Sequence, residues 1–149
     1  MVCCTFAGHR EILIDGIEEK LKDALEGLIQ QNDDFCFYTG GMGEFDQMCE
    51  NAVRAYKRTC PTKRIMLVLV EPYMKQSINT DAPRLAKQYD EIIIPTDWAD
   101  CHYKKAITCR NRWMIDHCQY MIACVYKQYG GAYTSLKYAE KKGLTVISL

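Results

Sequence analysis

Residues 65–70 read Ile-Met-Leu-Val-Leu-Val, six apolar side chains in succession with no polar alternation. A strand with one wetted face alternates, so an unbroken run of strand length belongs to a strand covered on both faces, and we expect a central one. Shorter β-prone segments at 2–6, 35–38, 92–94, 120–125 and 145–149 recur along the chain. Between them lie helical patterns. Leu13, Ile17, Leu21, Leu25 and Leu28 form one stripe, and Phe45, Met48, Cys49, Ala52, Val53 and Tyr56 form a second. Further helices are expected up to about Cys118, after an irregular stretch at 97–104, and over 133–142, closed by Gly143. Residues 71–81, polar and holding Pro72 and Asn79, predict a loop or lid followed by a short helix. No two-residue hairpin signal occurs. Strands alternating with helices therefore predict an α/β fold, a mostly parallel sheet of about six strands with right-handed crossovers.

With 149 residues, no internal repeat and no linker composition, the chain reads as one domain, 1–149. No apolar run approaches the roughly 20 residues that cross a bilayer. The opening segment, without a basic stretch before it or a cleavage pattern after it, reads as a first strand and not as a secretory signal. Lys plus Arg and Asp plus Glu are 19 each, so the chain has no net charge, and without a basic run a nucleic acid partner is disfavoured. The nine cysteines are odd in number and contain no C-x-x-C, which fits reduced thiols in the cytoplasm. Cys101-His102 and His117-Cys118 lack the spacing of a tetrahedral metal site, so neither a metal nor a cofactor is expected.

In a parallel sheet every strand-to-helix turn lies at the carboxyl edge, where ligands bind. Three marked segments fall in such turns. Gly8, His9 and Arg10 follow the first strand: Arg10 can donate a planar fork to phosphate or carboxylate, and His9 can donate or accept near neutral pH, although both also suit a solvated turn. Thr39-Gly40-Gly41-Met42-Gly43 offers unobstructed amides ahead of a helix, which suits either a phosphate or a plain tight turn. Glu44 and Asp46 follow it. Acids there satisfy the helix dipole themselves, so Asp46 is either a helix cap or an acceptor for ribose hydroxyls or a base amino group. Gly130, Gly131 and Ala132 form another amide-rich turn. Arg110 and Trp113 lie three apart on one helix face, allowing a guanidinium beside an indole, with core packing as the alternative for Trp113 and Met114. Two amide-rich turns and Arg10 on one edge suit a ligand anionic at one end and aromatic at the other, with Tyr38, Tyr73, Trp113 or Tyr133 available for stacking.

Four ordered segments carry a resemblance: Phe6-Ala7-Gly8-His9-Arg10, Tyr38-Thr39-Gly40-Gly41-Met42-Gly43-Glu44-Phe45-Asp46, Arg110-Asn111-Arg112-Trp113-Met114-Ile115 and Gly130-Gly131-Ala132. They resemble the signatures of the SLOG superfamily, the Rossmann-like group that includes DprA and LOG, and in particular its small stand-alone YpsA-like branch. The resemblance implies a Rossmann-like three-layer sandwich, a pocket for nucleotides or nucleotide-derived signals at the glycine turns, and frequent homo-oligomerisation. It carries function onto Gly8, His9, Arg10, Gly40, Gly41, Gly43, Asp46, Arg110, Gly130 and Gly131. LOG enzymes release a base from a nucleoside monophosphate with a P-G-G-x-G-T-x-x-E turn. The corresponding segment here, Gly130-Gly131-Ala132-Tyr133-Thr134-Ser135-Leu136-Lys137, has neither the proline nor the glutamate.

The first reading is thus a nucleotide-binding or sensing module without catalytic residues. The second is a nucleotide N-glycosidase using Asp46 or Glu44, because cleaving an N-glycosidic bond needs a carboxylate. A third takes the glycines as turns of a purely structural interaction protein.

Overall fold

The computed structural model describes residues 1–98 and 100–149. Six strands, β1 (Val2–Gly8), β2 (Asp34–Thr39), β3 (Arg64–Val70), β4 (Glu91–Ile93), β5 (Tyr120–Cys124) and β6 (Thr145–Ser148), form one sheet in the order β4-β3-β2-β1-β5-β6. Every neighbouring pair is parallel. The helices are α1 (Ile17–Ile29), α2 (Glu44–Thr59), α3 (Gln76–Thr80), α4 (Ala82–Gln88), α5 (Tyr103–Asp116) and α6 (Gly131–Lys142). This is the expected α/β architecture. None of the described helices is long and apolar enough to cross a membrane.

Alternation along the strands builds a three-layer sandwich. Cys4, Phe6, Phe35, Phe37 and Leu67 face Ile17, Leu21 and Leu25 of α1 and Phe45 and Val53 of α2. Ala7, Met121 and Ala123 turn the other way, onto Ile115 of α5 and Ala139 of α6, and Cys36, Val68 and Val70 meet Met114 of α5. The run at 65–70 is therefore buried on both sides, as its composition demanded. Its position differs from expectation: β3 is second from the edge, because β4 beyond it has only three residues, and β1 holds the middle between β2 and β5.

The first helix is shorter than its stripe. Leu13 and Ile14 are exposed, and α1 starts only after Gly16, whose φ of 79° breaks the helical path. The polar segment at 71–81 holds the short α3, with the expected short helix following as α4. Of the irregular stretch expected at 97–104, Ala99 lies outside the described residues.

Glu50 of α2 fastens the turn after β2 to its surroundings. It is 2% exposed; its Oε1 accepts from the Thr39 hydroxyl at 3.0 Å, and its Oε2 from Tyr89 at 3.0 Å and Arg54 at 3.2 Å. A buried carboxylate is tolerable only when paired and hydrogen-bonded in this way, and its loss strands three donors together. We expect Glu50→Ala to lower the unfolding free energy by roughly 3 kcal/mol in urea denaturation.

Candidate functional site

In open parallel sheets the crevice forms where neighbouring strands send their connections to opposite faces. Here that point lies between β1 and β5, since the chain leaves β1 toward α1 on one face and β5 toward α6 on the other. A cleft of about 450 Å³ opens there. It brings together Gly8, His9 and Arg10, then Gly40 and Asp46, Arg110, and Gly130, Gly131 and Ala132. Segments from four parts of the sequence thus share one rim. Thr39, Gly41, Gly43 and Trp113 are not among the residues lining it.

The two glycine turns differ in what their amides do. After β2, the Gly41 N–H donates to the Thr39 hydroxyl, Met42 to the Asp46 carboxylate at 3.0 Å, and Glu44 to the Arg10 carbonyl at 2.8 Å. The Glu44 carboxylate in turn accepts from the Ile12 N–H at 2.9 Å. Three of that turn's amides are thus spent on the protein. Its glycines answer to packing as well: at Gly43, with φ 96°, a Cβ would stand 2.8 Å from the Arg10 Cα, and at Gly40 one would stand 2.9 Å from the Arg110 Cζ. Gly8 is likewise bare because the Phe45 ring lies against it. The turn after β5 makes no such contacts through Gly131 and Ala132. Nothing lies within 4 Å of a Cβ built on Gly130 or Gly131, and among the described residues no group accepts from the Gly131 or Ala132 N–H. Both residues line the cleft at the positive end of α6.

Arg110 forms the floor. It is 2% exposed, its Nη1 donates to the carbonyls of Val70 at 3.0 Å and Gly40 at 3.3 Å, and its Nε donates to Asn111 Oδ1 at 2.8 Å. Among the described residues no carboxylate lies within 4.0 Å of it. Burial lowers its pKa, opposed by the charge of Asp46. Asp46 is the complementary group: although the residue is partly exposed, its carboxyl is withdrawn from water, which pushes its pKa up to about 6 against the opposing pull of the Met42 N–H and Arg110. Each is a charge held out of water without a close ion-pair partner of its own.

His9 has a structural duty at the rim. Its Nε2 accepts from the backbone N–H groups of Tyr126 and Lys127, both at 3.2 Å, and its ring meets Tyr126 edge-on. Trp113 is packed away from the cleft, edge-on to Tyr38 and stacked on His117, so the indole does not sit beside a ligand in the cleft. Tyr73 and Tyr133 are also absent from the lining; each lies beneath a lysine, Lys75 or Lys137. The aromatic residues lining the cleft are the buried Phe6 and Tyr129, which is 70% exposed, and with them come Lys127, Ser135 and Glu11.

Sequence reasoning passed over those residues. The signal that points to Lys127 is charge distribution: residues 102–143 hold eight Lys or Arg against two Asp or Glu, and the rest of the chain holds 11 against 17; Glu11, Tyr129 and Ser135 carry no such signal. Zero net charge conceals this separation. The nine cysteines are all free thiols, and burial raises the pKa of several, Cys36 to about 11.

No protein-family model matches the chain, and no curated protein matches it in sequence. Solved structures do. DNA processing protein A (DprA) from Streptococcus pneumoniae superposes with a TM-score of 0.70 at 14% identity, over 99% of this chain and 50% of that one. The chain shares the DprA fold. DprA from Helicobacter pylori, whose structure addressed its single-stranded DNA binding mode, gives 0.66 at 16% identity over 99% and 64% of the two chains. The protein TM1055 gives 0.57 at 12% identity over 98% and 72%. The chain thus spans half of the first DprA and under two thirds of the second. The fold is the Rossmann-like one that the motif resemblance implied.

The geometry at His9 sets a pH dependence. Burial, aided by the Lys127 charge, holds its pKa below the usual 6.5. A folded-state value below the unfolded one means that the unfolded chain takes up the proton first, so this contribution is complete above pH 6.5 and is lost as pH falls through the folded value. The stability difference between wild type and His9→Ala, from urea titrations, should be largest at pH 7.5 and shrink toward pH 5.

Proposed function

We propose that this chain is a SLOG-superfamily module that binds a nucleotide or nucleotide-derived molecule in the cleft between the turns after β1 and β5. The observation that carries the reading is Arg110: a guanidinium buried at the floor of the cleft with no carboxylate within 4.0 Å among the described residues, in a cavity that also offers free α6 amides and Arg10. Asp46 and Glu71 act on Arg110 from beyond ion-pair distance, and an anionic ligand adds a countercharge within the cleft. The phosphate end belongs at Gly131 and Ala132, where the amides are open, and the sugar hydroxyls suit the Asp46 carboxylate. A cavity of about 450 Å³ lies within the range of roughly 300–1,000 Å³ typical of small-molecule sites. A cytoplasmic setting and a homo-oligomeric state belong to the same proposal.

Asp46 supports a second reading, hydrolysis of an N-glycosidic bond. Of the two acids considered, Asp46 lines the cleft, while Glu44 is tied to Ile12 outside it. A carboxylate with a pKa of about 6 can take a proton from water as the water oxygen bonds to the sugar C1′ and the C–N bond breaks; the base leaves with the bonding pair and takes up a proton from solvent, and Asp46 returns its own to solvent. The expectation against nucleic acid draws no support from the comparisons, since the H. pylori DprA has a single-stranded DNA binding mode. The basic excess in residues 102–143 weighs on the same side.

A thermal-shift panel of nucleoside monophosphates and NAD tests binding. A ligand at a hundred times its Kd should stabilise by about 2.7 kcal/mol, and Arg10→Ala should diminish the shift; a panel with no shift at all leaves the glycines as turns of an interaction protein. For the second reading, chromatography of the same mixtures reads released base. If Asp46 is the base, release rises as pH passes through about 6 and disappears in Asp46→Asn.

A further inference from the structure

A second cavity, about 260 Å³, lies between α5 and α6, lined by Thr108, Arg112, Thr134 and Tyr138 together with three residues that also line the cleft, Asn111, Gly131 and Ser135. Through these shared residues the two cavities adjoin at the start of α6. At 260 Å³ the groove falls short of the usual size of an independent small-molecule site, so its chemistry makes sense as an extension of the cleft.

We propose that the groove between α5 and α6 is a second subsite, and that the ligand is a molecule of two nucleotide units joined through phosphate, one unit in the cleft and the other in the groove. The inference rests on the reading of the cleft as a nucleotide site. Three observations lead to it. First, the lining carries a cation and hydroxyls but no carboxylate: Thr108, Thr134, whose hydroxyl donates to the Gly130 carbonyl at 2.9 Å, and Arg112, which among the described residues has no carboxylate within 4.0 Å. Second, the Arg112 guanidinium stands 5.2 Å from the centre of the Tyr138 ring, and the ring is fixed by its hydroxyl, which donates to Asp116 at 2.9 Å. A planar cation held in place by an aromatic ring is suited to lie against a base and to meet a phosphate. Third, the junction is rich in donors. Asn111 uses its Oδ1 on Arg110, which leaves its amide N–H groups for another acceptor, and the Gly131 N–H is open beside it. A linking phosphate belongs at that junction. The basic excess of residues 102–143 favours the second negative charge over a neutral substituent.

Isothermal titration calorimetry with AMP, the 5′-phosphorylated diadenylate pApA and NAD tests the proposal on wild type, Arg112→Ala and Thr108→Trp. Thr108 lines only the groove and is exposed, so its tryptophan variant fills the groove without altering the cleft, and it stands in should the arginine variant fail to fold. We expect at least one two-unit probe to bind about tenfold tighter than AMP, the advantage to vanish in both variants, and AMP affinity to stay within about twofold. Preference for pApA marks a phosphodiester link, and preference for NAD a pyrophosphate. If AMP binds and neither two-unit probe binds tighter, or the advantage survives both variants, the second subsite is overturned and the cleft reading stands. Absence of binding by all three probes removes both.

Discussion

The pairing of β1 with both β2 and β5 is the constraint on which the site depends. Thr5 lies opposite Tyr38 on one side and Met121 on the other, so the three strands run in the same direction and end at the same edge. Because α1 and α2 cover one face and α5 and α6 the other, the connections from β1 and β5 diverge and leave the cleft between them. Everything chemical about the cleft follows from that divergence. The loop carrying Arg10, the start of α6 and the Arg110 guanidinium, which reaches over from α5 to the carbonyls at the ends of β2 and β3, are brought together by topology and not by proximity in sequence.

Glycines in the three turns look alike on paper and serve different physical ends. Gly8, Gly40 and Gly43 are bare because a neighbour occupies the space of a Cβ: the Phe45 ring, the Arg110 guanidinium and the Arg10 backbone. They let the turns pack on one another and hold Arg110 in place. Gly130 and Gly131 have open space around them, so their lack of a side chain keeps amides accessible. A single chemical letter thus supports the frame in two turns and exposes donors in the third.

Electrostatics separates in the same manner. The α1 and α2 side of the molecule carries most of the acids, and the α5 and α6 segment most of the uncompensated bases, while Asp46 and Arg110 confront each other within the cleft at a distance that shifts both without forming an ion pair. Burial sets the direction at Asp46 and at His9: it keeps the carboxyl protonated to a higher pH and the imidazole neutral to a lower one.

The sequence by itself determined the fold class and the edge at which function would lie. The unalternating run at 65–70, the helical stripes and the glycine after each of three strands follow from local periodicity, and periodicity is a property of neighbours along the chain. The end of the stripe was misplaced at Leu13 because only the left-handed turn at Gly16 decides where α1 begins. Tertiary structure decided the rest: that Trp113 packs on Tyr38 and His117, that the Gly41, Met42 and Glu44 amides are consumed by Thr39, Asp46 and Arg10, and that Lys127, Tyr129 and Ser135 join the rim. Whether a donor is free or spent depends on which distant group reaches it, and no pattern of residue types along one chain records that.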